Sequence, residues 1–149
     1  MKTVTKATAT FRGLVDGFCE AVLDQVGKDW TAYSPSSLKE LEAVIHTHNG
    51  YGTRFDDMPN FFTGLGVYLG EVIRRQLRSR CWWTMEGGQP VLTVAGPKAT
   101  LKLKPVVRIA KMLSDPAFGL ECFAAYAIAI GQGTTSDCSA GHEEGCADS

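Results

Sequence analysis

Residues 81–104 constrain the fold most, because they contain three short strand patterns separated by tight turns. The segments 81–85 and 91–95 are rich in β-branched and aromatic residues, and 100–104 alternates between apolar and polar positions. The glycine-containing turns between them are too short for a crossover connection, so they predict an antiparallel meander. Three strands are not stable alone, and helices must therefore cover their apolar face.

Helical periodicity predicts three helices before this sheet and two after it. Apolar residues recur at steps of three and four over residues 8–26, 35–48 and 59–80. The second helix is expected to start at Ser34-Pro35, with Ser34 as its cap, and to stop before Asn49-Gly50. The resulting fold class is α+β: three N-terminal helices, a three-stranded antiparallel meander and C-terminal helices packed on the sheet.

The segments after the sheet complete this prediction. Residues 106–113 fit a short helix, and residues 117–130 fit a last helix that begins after Asp115-Pro116. Because this last helix is apolar almost all round, we expect it to be central and buried. Earlier in the chain, Gly66 and Gly70 share one face of the third helix, where they would let another element approach closely.

Residues 1–130 are predicted to form a single α+β domain, which suits a chain of 149 residues. Residues 131–149 contain Gly, Ser, Thr and four acidic residues but no Lys or Arg, so we expect a flexible acidic tail. No stretch approaches the roughly 20 apolar residues of a membrane span, and residues 1–10 lack the apolar segment of a secretory signal. A cytoplasmic protein is expected.

The five cysteines support the same compartment, because an odd number at wide spacing is typical of reduced thiols. Cys19, Cys81 and Cys122 lie within apolar patterns and are predicted to be small core residues. Arg80 beside Cys81 would lower the pKa of that thiol. No partner base accompanies Cys81 in the sequence, however, so it is a weak candidate nucleophile.

The candidate binding site is the run from the end of the third helix into the first strand. Arg and Trp are the residue types that dominate interface hot spots. The candidate binding residues in this run are Arg74, Arg75, Arg78, Trp82 and Trp83. Glu71 precedes Arg75 by four residues, which favours an ion pair on the helix. The alternative interpretation is a solvated helix edge whose arginines lie over tryptophan.

The same run carries a resemblance. Residues 68–75 read YLGEVIRR, with Trp82-Trp83 and Asp115-Pro116 further along. This layout resembles a "YLGEV-R-R…W" pattern at the helix-to-strand junction of small bacterial α+β proteins that are common in actinobacteria. The resemblance covers residues 36–130. It implies the fold and transfers no catalytic residue, because no established activity accompanies the pattern.

Charge is distributed unevenly along the chain. Residues 71–111 hold nine Lys or Arg and two acidic residues, whereas the remainder holds six basic and fourteen acidic residues, so that +7 and −8 give the net −1. A basic stretch beside tryptophans is suited to phosphate contacts and base stacking, so a nucleic-acid binder acting through residues 74–111 is one alternative. The other is a polarised surface that attracts an acidic protein or the chain's own acidic tail.

Two sets of residues have the chemistry of metal ligands. His46 and His48, with Asp56 or Asp57, suggest a metal-dependent enzyme, although histidines two apart at a helix end diverge and also suit the helix dipole. The tail offers three residues at a spacing of four, namely Cys138, His142 and Cys146. These types suit zinc, but a structural zinc site needs four ligands. A disulfide between the two cysteines and a plain tail remain alternatives.

No familiar catalytic motif is present: the sequence lacks G-x-S-x-G, a P-loop, a dinucleotide-binding turn and H-E-x-x-H. We therefore expect a non-enzymatic binding module that needs no cofactor and acts by protein–protein interaction. Its partner would be another protein, with a homodimer as an open alternative, and neither nucleic acid nor a membrane is favoured. Small bacterial proteins of this size include inhibitors and defence-related factors, an association by size and class.

Overall fold

Helices and strands follow one another in the predicted order. The computed structural model describes residues 13, 15–20, 22, 33, 36–115 and 119–134. Residues 15–20, with Gly13 and Val22, are helical and are called the N-terminal helical segment. The elements that follow are α1 (Ser37–Gly50), α2 (Pro59–Leu77), β1 (Cys81–Glu86), β2 (Gln89–Ala95), β3 (Thr100–Leu103), α3 (Pro105–Ser114) and α4 (Glu121–Gln132). The α+β class is confirmed.

The sheet is the predicted antiparallel meander, in the order β1-β2-β3. Gly87 and Gly88 both have positive φ, 59° and 77°, which is the backbone of a two-residue hairpin turn. The turn is therefore shorter than predicted, and Gln89 and Pro90 belong to β2. Side chains alternate across β1 as expected, since Trp83 is 9% exposed and Trp82 is 44% exposed.

Helix α2 is the centre of the described structure, because residues 64–73 are buried without interruption. Its glycines explain how neighbours reach it on several sides. A methyl group at Gly66 would clash with the backbone of Val106 at the start of α3, and one at Gly70 would clash with the Trp83 ring. The predicted close approach at Gly66 and Gly70 is confirmed. The prediction that the last helix is the central one is wrong.

Helix α4 lies beside α2 and also contacts β2 and β3, and most of its described residues are buried or half-buried. Phe123 and Ala127 are fully buried, whereas Ala125 is exposed. The helix begins at Glu121 rather than 117, since the Leu120 N–H donates to Glu42 Oε1 at 2.5 Å just before it. Its other end passes the predicted domain limit: Gly131 is buried and faces the Leu77 side chain. The described part of the fold thus extends to residue 134. Residues 135–149 of the predicted tail lie outside the described residues.

Helix α1 also differs from its prediction at both ends. It begins at Ser37, and Ser34-Pro35, the predicted start, lies outside the described residues. Asn49 and Gly50, expected to end the helix earlier, are its last two residues. The Asn49 side chain donates to the Leu113 carbonyl at 2.6 Å, a contact with α3 that no local pattern contains. Of the first predicted helix, 8–26, the described residues are helical and the others are not described.

The cysteines divide into two kinds. Cys19 and Cys81 are buried free thiols, which confirms their prediction as small core residues. Cys122 is only half-buried and is disulfide-bonded, so the prediction of a reduced core thiol is wrong there. Disulfides are typical of oxidising compartments. The cytoplasmic location therefore stays a prediction, against which this bond argues.

No helix within the described ranges is long and apolar enough to cross a bilayer.

Candidate binding site

A cavity of about 670 Å³ lies between the C-terminal end of α2, strand β1 and the N-terminal helical segment. This volume falls within the roughly 300–1,000 Å³ of small-molecule and cofactor pockets. The walls contain all five residues of the predicted binding run, Arg74, Arg75, Arg78, Trp82 and Trp83. They also contain Val15, Asp16, Glu71, Ser79 and Cys81. The structure thus gathers the whole predicted run around one opening, which we call the arginine cavity.

An abrupt reversal of the backbone shapes the floor of the arginine cavity. Helix α2 ends at Leu77, and Arg78 then takes φ 54° and ψ −116° before a short 3-10 turn leads into β1. A non-glycine residue in such a sparsely populated region costs of order 1–3 kcal/mol. Strain of this kind concentrates at functional sites. Arg78 is therefore the strongest candidate of the predicted run for contact with a ligand.

Glu71 is the centre of the polar network, although its residue is only 2% exposed. Its carboxylate accepts hydrogen bonds from Arg74 Nε at 2.5 Å and Arg74 Nη2 at 2.9 Å. Arg75 Nε donates at 3.3 Å, and the indole Nε1 of Trp83 donates at 2.8 Å. The predicted Glu71–Arg75 pair is confirmed, but Arg74 is the closer partner. Two elements, α2 and β1, are joined here by one carboxylate.

Burial opposes ionisation of Glu71, but the hydrogen bonds from Arg74 and Trp83 and the two guanidinium charges outweigh it. They hold the pKa of Glu71 below its usual range, so the carboxylate is charged at neutral pH. The hydrogen bond to Glu71 in turn raises the pKa of Arg74. Among the described residues, the cavity walls then carry three arginines against the two carboxylates of Asp16 and Glu71, an excess of positive charge.

Arg78 supplies that excess. Its side chain is exposed at the cavity, and it makes no hydrogen bond or ion pair with any residue of the described ranges. By contrast, Arg74 is committed to Glu71, and its side chain is 23% exposed. The chain therefore presents one guanidinium whose donors are available to a ligand, next to one that is held in place.

An aromatic wall fixes the third arginine. The Arg75 guanidinium lies 3.7 Å from the centre of the Tyr33 ring, a cation–π geometry. Tyr33 stacks on Tyr68 with ring centres 5.0 Å apart, and the Tyr68 hydroxyl is 2.9 Å from the Ser37 hydroxyl. Sequence reasoning missed this wall, because Tyr33 and Arg75 lie far apart along the chain. The spacing that places Tyr68 one turn before Glu71 and two turns before Arg75 was the available signal.

The two tryptophans have different tasks. Trp83 is buried, packs on Gly70 and donates to Glu71, so it positions the network. Trp82 points to the other face of the sheet and is 44% exposed. Trp82 is thus the tryptophan available for contact with a partner, a distinction that only the fold decides.

The thiol near the cavity is not an activated nucleophile. Burial raises the pKa of Cys81 to about 12, and burial likewise raises the pKa of Cys19 to about 11. The predicted lowering by Arg80 is wrong, because Arg80 is directed to the end of α4, where its Nη1 donates to the Gly131 carbonyl at 3.0 Å. Both thiols are therefore protonated at neutral pH.

The histidine pair occupies a different part of the molecule. His46 is exposed, while the His48 ring meets the edge of Phe62 at 5.4 Å and its Nδ1 lies 3.3 Å from the Thr53 hydroxyl. Asp57 accepts from the Arg54 backbone N–H at 2.8 Å. Across the described ranges, no three His, Cys, Asp or Glu residues are grouped as metal ligands would be. The other candidates, Cys138, His142 and Cys146, lie outside the described residues.

The basic stretch 74–111 does not form one continuous stripe. Arg108 is 2% exposed, with its guanidinium 4.6 Å from the centre of the Phe123 ring. Lys102 forms an ion pair with Glu86 at 2.8 Å on the exposed face of the sheet. The phosphate track that the sequence suggests is therefore interrupted.

Comparisons with protein-family models, with curated proteins and with solved structures find no match to this chain. The resemblance to small bacterial α+β proteins stays an expectation.

Proposed function

We propose that the protein is a non-enzymatic binding module that holds another protein at the arginine cavity. The observation that carries this proposal is the convergence of the five predicted residues on one cavity, with Arg78 exposed there on strained backbone. Arg and Trp are the residue types most enriched in interface hot spots. A partner that covers Trp82 and satisfies Arg78 would remove both from water.

The chemistry of the cavity supports binding over catalysis. Of the two carboxylates among its described residues, the buried one, Glu71, is already saturated by Arg74, Arg75 and Trp83. The thiol of Cys81 stays protonated. A general base or nucleophile needs an available lone pair close to neutral pH. Small bacterial proteins of this size include inhibitors and defence-related factors. We therefore favour a binding module that acts as an inhibitor or a defence-related factor.

The proposal is tested by affinity capture followed by titration of the purified partner. The bait variant is Arg78→Ala with Trp82→Ala, two exposed side chains whose removal leaves the core intact. The matched control is Lys98→Ala, an exposed cation in the turn after β2. We expect the double variant to bind the partner at least about tenfold more weakly, a difference of roughly 1.4 kcal/mol. The control should bind like the wild type.

Equal affinity of wild type and double variant would contradict the proposal. Native mass spectrometry of the purified chain supplies the second outcome. If one zinc or iron ion is bound per chain and is lost in His46→Ala, the metal-dependent enzyme would replace the binding module as the proposed function.

A further inference from the structure

Strand β1 is an edge strand of the described sheet, and it lies beside the arginine cavity. Within the described residues β1 pairs with β2 alone. Cys81, Trp82 and Trp83 all line the cavity, although successive side chains of a strand point to opposite faces. A cavity touched by both faces runs along the edge of the strand. An unpaired edge presents N–H and C=O groups that can pair with another strand.

The hairpin fixes which backbone groups of β1 face outward. Glu86 and Gln89 flank the two-residue turn, and in such hairpins the flanking residues form a hydrogen-bonded pair. Hydrogen-bonded and non-hydrogen-bonded pairs alternate along an antiparallel ladder. Residues 82, 84 and 86 thus bond to β2, and the backbone groups of Trp83 and Met85 point away from it, to the outer edge. The Cys81 N–H already donates to the Arg78 carbonyl, so it is not available to another strand.

Charge selects what kind of strand fits this edge. In the part of the chain that the structure describes, the cavity walls carry three arginines and two carboxylates, and Arg78 has no counter-ion there. Trp82 adds an exposed apolar surface directly on β1. Backbone hydrogen bonds supply affinity in strand addition, and side-chain pockets supply specificity. A segment with a carboxylate that reaches Arg78 satisfies both requirements.

We propose that the ligand of this site is an extended acidic segment of the partner protein, which adds to the outer edge of β1 and places a carboxylate against Arg78. This inference rests on the proposed function and gives the binding module its mode of recognition. It predicts that backbone groups of the strand contribute as much as the cationic side chains do. A second copy of this chain and a single-stranded nucleic acid are the competing occupants.

The decisive pair of variants is Met85→Pro and Met85→Thr. Both remove the same side chain, which is half exposed, but only proline removes the outward-facing N–H. Proline is tolerated on edge strands where the N–H faces solvent, so the sheet should survive. The probe is a blocked peptide of about eight residues with alternating threonine and glutamate, a length typical of strands. The control peptide has lysine in place of each glutamate.

The peptide is titrated into the full chain and followed by NMR and by amide hydrogen exchange. We expect the glutamate peptide to protect the Trp83 and Met85 amides. Its affinity should fall at least about tenfold in Met85→Pro and in Arg78→Ala, and stay unchanged in Met85→Thr. The lysine peptide should not bind. If Met85→Pro fails to fold, protection of the two amides in the wild-type chain carries the test.

The outcomes separate the two proposals. Retained binding in Met85→Pro, with binding lost in Arg78→Ala, would overturn strand addition and leave the binding module in place. Equal binding of the two peptides, or no binding of either, would overturn the acidic segment. Concentration-dependent dimers with protected edge amides would make a second copy the occupant. Displacement of the peptide by a single-stranded oligonucleotide at low salt would put nucleic acid in its place.

Discussion

The two ends of helix α2 differ in chemistry: one packs through aromatic rings, and the other through charged and polar side chains. At the N-terminal end, Phe61 and Phe62 pack on each other at 5.5 Å, and Phe62 also meets His48 at 5.4 Å and Phe55 at 5.8 Å. At the C-terminal end, a buried carboxylate is surrounded by guanidinium and indole donors beside an open cavity. Aromatic contacts thus dominate the N-terminal end, and ion pairs and hydrogen bonds dominate the C-terminal end.

This difference distinguishes an end of α2 that stabilises the fold from an end that the proposed binding function uses. Aromatic packing stabilises the fold through apolar burial and needs no matching partner. A buried ion pair contributes little net stability, because desolvation offsets much of its attraction, yet losing one member is costly. A charged, strained and open end is therefore poorly explained by stability. We infer that the C-terminal end of α2 is maintained for binding.

The largest expected effect lies at the aromatic end. Phe62→Ala removes a ring that is 0% exposed, so we expect the free energy of unfolding to fall by about 4 kcal/mol. The measurement is chemical denaturation. The matched control is Tyr51→Ala, an aromatic residue 79% exposed near the same His48 ring, which should change stability by less than about 0.5 kcal/mol. A loss below about 1 kcal/mol for Phe62→Ala would mean that the aromatic cluster does not anchor this end.

At the charged end, Glu71→Ala should lower the free energy of unfolding by about 3 kcal/mol, because it leaves Arg74 and Trp83 without their acceptor. Glu71→Gln should cost less, since an amide keeps the volume and one acceptor oxygen. The control Glu86→Gln, in an exposed pair with Lys102, should leave stability unchanged within error. Equal effects of the Glu71 and Glu86 variants would remove the distinction between the buried network and a surface pair.

The same carboxylate predicts a pH dependence. The folded-state pKa of Glu71 lies below its ordinary value, so its contribution to stability is fully present above that value, roughly pH 4.3. The contribution is lost as the pH falls through the folded-state pKa. The stability difference between wild type and Glu71→Gln should therefore shrink in acid. A difference that stays constant from neutral pH into acid would show that the charge of Glu71 is not what the network uses.

A smaller effect is expected near the middle of α2, between these two ends. Gly70→Ala places a methyl group into the Trp83 ring, and overpacking of this kind costs about 2 kcal/mol. Gly50→Ala, at the end of α1 with no atom within 4 Å of the new methyl, should be neutral or slightly stabilising. Thermal unfolding of both variants makes the comparison. Tolerance of alanine at Gly70 would mean that Trp83 is not held against α2.

The smallest expected effect is a gain in stability, whereas the preceding variants lose stability. Arg78→Gly relieves the strain at φ 54° and should stabilise the fold by about 1 kcal/mol, while it weakens partner binding. Arg78→Ala should weaken binding to the same degree without the gain in stability. Denaturation midpoints and partner affinity are measured on both variants. A glycine variant that is less stable than wild type would show that Arg78 serves the fold, and the contrast between the two ends of α2 would disappear.

Local patterns were sufficient for much of this structure. The alternation in residues 100–104 and the short glycine turns predicted the antiparallel meander, and the two glycines of α2 predicted close packing. Element ends were less predictable, because distant partners set them: Asn49 reaches Leu113, and Glu42 reaches the backbone at Leu120. The predicted burial of α4 is largely confirmed, but its central position is wrong, since composition does not show which helix has neighbours on the most sides.

The candidate site divides in the same way. The sequence by itself determined that Arg74, Arg75, Arg78, Trp82 and Trp83 lie within one short run, because helix and strand periods place neighbours predictably. Only the tertiary structure decided that Glu71 is the buried acceptor joining α2 to β1, and that Trp83 rather than Trp82 donates to it. It also brought Tyr33 against Arg75. These contacts depend on how elements pack, and packing is set by the summed burial of the whole chain, which no local period contains.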